Sequence, residues 1–198
     1  MACAFGLCIL LLSGCQKPAA PVSQPAGESS RYAETSAYTV SYISTGYSTQ
    51  ESLWYGADNA GMAGTGERRH IPVRRIDSIE ALQEFLEEYG EWPDYSSYIN
   101  FGATIKLSKT TEAFDYRYFK NHTLLVLYLT ENSGSIRHQI DRVGIDGDTL
   151  FVRVSAIVPT NSDGLVCLTD DMAGWFILLE LDKAFAEGCT AVDAWYTA

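Results

Sequence analysis

Positive charge is scarce in this chain: 14 Lys and Arg stand against 25 Asp and Glu, for a formal charge of -11 over 198 residues. Phosphate backbones are held by clustered Lys and Arg, so the deficit excludes a nucleic-acid partner. It also excludes adhesion of the protein surface itself to an anionic membrane. Histidine is scarcer still, and the three present, His70, His122 and His138, fall in separate segments with no metal-ligand spacing. Nucleophile-elbow, His-Glu-x-x-His and Walker patterns are lacking, so the sequence assigns no catalytic residue, no metal and no cofactor. Beyond residue 15 the only cysteines are Cys167 and Cys189, which leaves two readings open: one disulfide in an oxidising compartment, or two buried thiols. The apolar stretch Ala4 to Leu12 is too short to cross a bilayer core, which takes about 20 residues.

That stretch has the length of the hydrophobic part of a signal peptide. It runs into Leu12-Ser13-Gly14-Cys15, which resembles the lipobox of bacterial lipoproteins: an aliphatic residue, two small residues, and a cysteine that is acylated. The resemblance implies a signal peptide over 1–14, with Cys15 as the lipid-bearing N-terminus of the mature chain. Met1 to Leu7 departs from the pattern, having no Lys or Arg where signal peptides carry a positive start. Residues 15–36 are rich in Ala, Ser, Pro and Glu, with Pro18, Pro21 and Pro25 among them, and such a composition reads as a semi-extended tether that cannot bury enough to order itself. Two or more acyl chains hold stably where one holds marginally, at about 0.8 kcal/mol per buried methylene. The expected address is therefore the extracytoplasmic face of a cell membrane, reached through lipid on Cys15.

Residues 37–198 are long enough for one domain with one core. Tyr38, Val40 and Tyr42 alternate with Thr39 and Ser41 as in a half-buried strand. Residues 46–66 read as a Gly-rich loop carrying Tyr47, Trp54 and Tyr55 as a candidate aromatic surface for sugars or peptides. Ile71 to Ile76 is a short extended run in which Pro72 marks an edge or bend. Asp77 with Glu80 suggests a capping box, followed by a helix with the apolar face Ile79, Leu82, Phe85, Leu86 and Tyr89 and a stop at Gly90. Glu80, Glu84, Glu87 and Glu88 then form its wet side. A helical turn at Asp115 to Phe119 would bring Phe114, Tyr118 and Phe119 inward, whereas 94–111 has no assignable pattern.

Five extended runs follow: Leu124 to Leu129, Ile136 to Ile145, Leu150 to Val158, Trp175 to Leu181 and Ala191 to Tyr196, with Asp146-Gly147-Asp148 as a hairpin turn. These elements predict an α+β fold: an antiparallel sheet of about five or six strands packed on one face by one main helix.

Ile76 with Ser78 and Leu82, Phe114-Asp115 with Tyr118-Phe119, the run Glu131-Asn132-Ser133-Gly134-Ser135-Ile136-Arg137-His138, and Thr169 with Asp171-Met172-Ala173 and Trp175 together resemble a family of uncharacterised lipoproteins from clostridia-like bacteria. The C-terminal half is also similar in its pattern of strands to the C-terminal domain of the PrcB family, named for a lipoprotein subunit of a surface protease complex. The chain departs from the first family at Phe176, where members often have His, and at Thr160, where they often have Glu. Residues 161–164 suggest a longer loop.

Glu131, Ser133, Ser135, Arg137, His138, Asp170 and Asp171 make up a candidate polar cluster, for binding or for structure. Arg137 is expected to pair with Asp170, Asp171 or Glu131 and so fix two loops together, in preference to holding a ligand carboxylate. His138 shares a face with Ile136 and Ile140, which reads as a core histidine. Ser135, His138 and Asp171 have the residue types of a triad, but neighbours at that spacing on a strand seldom converge. Asp170 and Asp171 alone are a weak calcium signal. The expected function is that of a membrane-anchored, non-catalytic module binding a surface protein or peptide, with glycan binding through the aromatics and a hydrolase with an unrecognised site as the alternatives. Cys15→Ser is expected to abolish incorporation of a fatty-acid analogue and to release the protein from the membrane fraction. Equal labelling of variant and parent would overturn the lipid anchor.

Overall fold

The computed structural model describes residues 32–45, 68–95 and 105–197. In chain order its strands are β1 (Tyr32–Thr35), β2 (Tyr38–Ser44), β3 (Arg68–His70), β4 (Val73–Ile76), β5 (Pro93–Asp94), β6 (Ile105–Lys106), β7 (His122–Glu131), β8 (Arg137–Asp146), β9 (Thr149–Ile157), β10 (Ala173–Asp182) and β11 (Ala191–Thr197). The helices are α1 (Ile79–Tyr89), α2 (Leu107–Thr110), α3 (Tyr118–Asn121) and α4 (Lys183–Ala186). One sheet has the order β1-β8-β9-β11-β3, a second β2-β10-β7-β4, and β5 and β6 pair by themselves.

The arrangement follows from β7 and β10, which pair along ten residues each and are buried at nearly every position. An alternating strand has one face to hide, whereas a continuous apolar run has two. Leu125, Leu127, Leu129, Trp175, Ile177 and Leu179 face Val143, Ile145, Leu150, Val152, Val154, Ala194 and Tyr196 of the five-stranded sheet. On the opposite face Leu124, Val126, Tyr128, Phe176 and Leu178 meet Leu82, Phe85 and Tyr89 of α1, together with Trp92, Leu107, Phe114 and Phe119. The result is three layers: sheet, sheet, helix. Phe176 packs among Phe85, Tyr89, Trp92 and Tyr128.

The expected fold class is therefore corrected. Of the described residues 51% are strand and 17% helical, the strands divide between two large sheets, and a single sheet with one main helix does not describe them. The helix does cover one face of the four-stranded sheet; the other face is covered by a second sheet, whose strands have the one-sided alternation that such a cover requires. Nor is the pairing purely antiparallel, since β11 returns beside β9 in parallel after β10 has crossed to the other sheet. Among the described residues no helix is long and apolar enough to cross a membrane.

Local differences have local causes. The stretch read as tether contains β1, which pairs Tyr32 with Asp146 and Thr35 with Val143. Helix α1 is capped by Ser78, whose Oγ accepts from the Ala81 amide at 3.2 Å, one residue later than the expected Asp77 cap. Asp77 instead accepts from the Thr123 hydroxyl at 2.6 Å and pairs with Arg75 at 2.7 Å, fastening the helix entry to β7 and β4. The bend foreseen at Pro72 carries the chain from one sheet to the other: the Ile71 amide donates to Ala194 O (2.9 Å), and Pro72 O accepts from the Tyr128 amide (3.1 Å). Proline has no amide to lose at such a corner. The Cys167 and Cys189 thiols are both free, one exposed and one buried, so they are neither a disulfide nor two buried thiols.

Leu127, fully buried at the centre of β7, has the second sheet on its face. Leu127→Ala is expected to cost about 2 to 5 kcal/mol in urea denaturation. A loss under roughly 1 kcal/mol would contradict the sheet-on-sheet core.

Candidate functional site

Strands β8 and β9 are joined at one end by Gly147-Asp148, beside which the chain enters at Tyr32; at their other end Arg137 pairs with Ile157. Most of the predicted polar cluster gathers at this second end, in two layers.

The inner layer is buried. Glu131, closing β7, accepts from His138 Nε2 at 2.9 Å and from the Tyr196 hydroxyl, which ties the four-stranded sheet to β8 and β11 of the other. The His138 side chain is wholly buried and Glu131 is 7% exposed. Burial, and then the carboxylate, push the Tyr196 hydroxyl well above the usual tyrosine range, so it stays a donor. Arg69 lies 4.9 Å from the Tyr196 ring centre and donates to Thr130 O at 3.0 Å. The rings of Trp175 and Tyr196 stand edge-on to His138. His138 is thus a core residue, as its face predicted, although its Nδ1 and the Trp175 indole N–H have no partner among the described residues.

The outer layer joins two loops. Ser133 Oγ lies 2.8 Å from Ser135 Oγ and 3.0 Å from Thr169 Oγ1, and it accepts from the Thr169 amide at 2.9 Å. The Gly134 amide donates to both the backbone and the side-chain oxygen of Asp171, at 2.9 and 3.1 Å. A Cβ on Gly134 would press into that carboxylate, so any larger residue there would displace the Asp171 side chain. Hydrogen bonds from Thr169 and from the Gly134 amide hold the Asp171 carboxyl below its usual range.

The loops are fastened as expected, but by other groups. Arg137 donates to Gly134 O (2.6 Å) and Ile136 O (3.1 Å) and lies 5.2 Å from the Trp175 ring centre; it makes no ion pair among the described residues. The expected pairing with Asp170, Asp171 or Glu131 is therefore corrected: the amides and hydroxyls of the two loops already satisfy Asp171, and Glu131 is turned inward. Ser135, His138 and Asp171 are not assembled either, because His138 bonds Glu131 while Ser135 bonds Ser133 and the Cys167 carbonyl. Among the described residues no group of three or more His, Cys, Asp or Glu converges on a metal position. Tyr38 and Tyr42 pack partly buried against the core. Tyr47, Trp54 and Tyr55 lie outside the described residues.

Above the fastened loops stands an arm that sequence reasoning took for a strand end and a long loop. Thr160 bridges Val166, the Asn161 amide donates to Leu165 O at 2.9 Å, and the Cys167 amide donates to Pro159 O at 2.9 Å. Asn161 Oδ1 closes the tip by accepting from the amides of Asp163 and Leu165. The arm exposes Ile157, Val158, Leu165, Val166, Leu168 and Met172, with Leu165 64% and Val166 60% accessible. The signal was legible: Asn161-Ser162-Asp163-Gly164 between apolar pairs is a hairpin pattern.

A third feature is the outer face of the five-stranded sheet, where Trp195, Arg153 and Arg142 lie side by side. Alternation in Asp193-Ala194-Trp195-Tyr196, with Ala194 and Tyr196 inward, would have revealed an outward tryptophan.

No family model, curated protein or solved structure matches the chain.

The inner layer gives a stability test. Glu131→Ala leaves His138 Nε2 and the Tyr196 hydroxyl buried without their acceptor, at about 1 to 3 kcal/mol for each unsatisfied group. Arg137→Ala, at an exposed side chain, is expected to change stability by no more than about 0.5 kcal/mol. Equal losses in urea denaturation would reverse the roles assigned to the two layers.

Proposed function

We propose that this chain is an extracytoplasmic lipoprotein, anchored through Cys15, whose domain is a non-catalytic module that docks a surface protein. The observation that carries the docking role is the arm. Ordered, hydrogen-bonded loops rarely hold six large apolar side chains in water, and clusters of this kind mark interaction sites. A free two-stranded hairpin is only marginally stable, so a partner packing on it adds the burial it lacks.

Geometry favours a partner lying away from the membrane. The tether would join at Tyr32, beside the Gly147-Asp148 turn, and the arm begins at the other end of the same strands. Ten residues of β8 separate the two, a span of roughly 30 Å. Asp163, Asp170 and Asp171 flank the apolar residues, which suits a partner surface with an apolar centre and a basic rim. The resemblance to clostridia-type lipoproteins and to the PrcB pattern suggests that this partner is an extracellular enzyme to which the module is accessory, a reading that rests on analogy. Among the described residues Ser135, His138 and Asp171 are not assembled, so the hydrolase reading has no support from them.

A photo-crosslinking residue at Val166 in the producing cell is expected to yield one discrete protein adduct, absent when the same residue stands at the exposed Lys120. Leu165→Asp with Leu168→Asp should remove the adduct while leaving stability within about 0.5 kcal/mol per substitution, since both side chains are exposed. Adducts only to lipid or to a second copy of the chain, or none at all, would overturn the docking role.

A further inference from the structure

The outer face of the five-stranded sheet has a composition and shape that neither the fold nor the arm explains. Outward positions of β9 and β11 carry Phe151, Arg153, Ser155, Asp193, Trp195 and Thr197, while Val152, Val154, Ala194 and Tyr196 fill the core. Strand register aligns them: His70 lies beside Trp195, Trp195 beside Arg153, and Arg153 beside Arg142, a row across four strands. In the next row Phe151 stands between Asp193 and Gly144. Gly144 has no room for a side chain, because the Phe151 ring and the Ala33 carbonyl occupy the place of its Cβ. The ring thus reaches over the glycine, and it lies within 25° of parallel to the Tyr32 ring with 6.3 Å between centres. Two adjoining depressions, of about 510 and 330 Å³, share Arg153 and Trp195 as their common wall. Both are of a size at which small-molecule clefts occur.

The groups around them are held ready. The two Asp193 oxygens bond the Trp195 indole N–H (2.7 Å) and His70 Nδ1 (2.9 Å), and the His70 ring lies against the indole with 3.4 Å between centres, so the tryptophan is fixed in place and meets the depressions beside Arg153. Glu34 pairs with Arg142 at 3.2 Å, and Asp141 accepts from Gln139 and Ser155. Arg153, at the middle of the row, has no hydrogen bond or ion pair among the described residues. A fixed indole, a flat aromatic floor, a guanidinium fork with free donors and carboxylates with lone pairs to spare are the complement of one ligand chemistry: a ring with an apolar C–H face and a rim of hydroxyls.

We propose that this face binds a neutral oligosaccharide, stacked on Trp195 and on the Phe151–Tyr32 floor, with Arg153 donating to hydroxyl oxygens and Asp141 and Asp193 accepting from hydroxyls. Charge decides for a neutral sugar over an acidic one. Glu34, Asp141, Asp146 and Asp193 surround two arginines, in a chain of net charge -11, so a polyanion would meet repulsion along most of its length. The site lies on a different surface from the arm, and either reading can fail without the other.

The test is titration of the full-length chain in mild detergent with cellotetraose, maltotetraose, mannotetraose and N-acetylchitotetraose, followed by calorimetry and tryptophan fluorescence. At least one is expected to bind and to perturb indole emission. Arg153→Ala and Trp195→Ala should each weaken that affinity roughly 10-fold or more, the loss of one charged hydrogen bond or one stacking platform. Lys120→Ala should leave it unchanged. Binding that survives both site substitutions, tighter binding of a polygalacturonate oligomer than of any neutral sugar, or no binding by all four would overturn the proposal.

Discussion

Everything in this fold is arranged around a pair of strands that must be hidden twice. Strands β7 and β10 are apolar on both faces, and water has to be kept from each. A helix can cover one face, with Leu82, Phe85 and Tyr89 as its contribution. The other face requires a layer as wide as the pair is long, and strands with one apolar and one polar side supply it. Once β8, β9 and β11 have turned their apolar sides inward, their other sides have to face solvent; that accounts for an outer face, though not for the choice of Trp195 and Arg153 on it. The core's demand and the candidate sugar face are two sides of one sheet.

The same constraint governs how the chain crosses between layers. At Ile71-Pro72 consecutive residues bond different sheets, and Glu131 spans them again at the far end. A carboxylate enclosed there would be costly without donors, so His138 and Tyr196 are needed as much as they are held. Their positions fix where β7 ends and β8 begins, and therefore where the Ser133-Gly134-Ser135 turn meets the loop of Thr169 and Asp171. The arm stands on a base whose backbone polar groups are bonded across the two loops, which is what allows its apolar side chains to stay exposed without the base loosening.

How much of this was legible depends on the range of the interaction. Each long strand, the α1 face, the edge or bend at Pro72 and the burial of Phe114 and Phe119 follow from local pattern, whereas the helical turn read at Asp115 to Phe119 lies at Tyr118–Asn121. The layering does not follow from local pattern, because which apolar face meets which is a matter between distant residues. Even so, the contrast was present: Leu124 to Leu129 is apolar throughout, whereas Arg137 to Val143 is broken by Arg137, Gln139, Asp141 and Arg142, and from Val152 to Ser155 apolar and polar residues alternate. A strand buried on both faces next to strands buried on one calls for two sheets. The β1 strand was hidden for the opposite reason, since four residues at the edge of a polar, Pro-rich stretch carry too little pattern to stand out. At the candidate site, the partner of Arg137 was not legible. Arg137 was matched by charge with Asp171, but an aspartate that receives two amides and a hydroxyl at a turn has little need of a guanidinium, and an exposed arginine settles on the nearest carbonyls and ring.

That difference bears on where function resides. Polar side chains that hold loops together have less left for a ligand: Ser133, Asp171 and Glu131 are bonded to neighbours in the same molecule, and His138 holds Glu131 through Nε2. Groups left over are better candidates, and the described residues hold two sets of them. One is apolar, in the arm, where burial has been withheld. The other is polar, on the outer face, where Arg153 has no acceptor among the described residues while the Trp195 ring is held by Asp193. A protein stabilised by its own core has no thermodynamic reason to keep either arrangement, since satisfying Arg153 or covering Leu165 would cost nothing in the fold. The two sets lie on separate surfaces, beside and beyond strands of about ten residues, so the proposed docking and sugar-binding roles each draw on groups that the fold itself leaves unused.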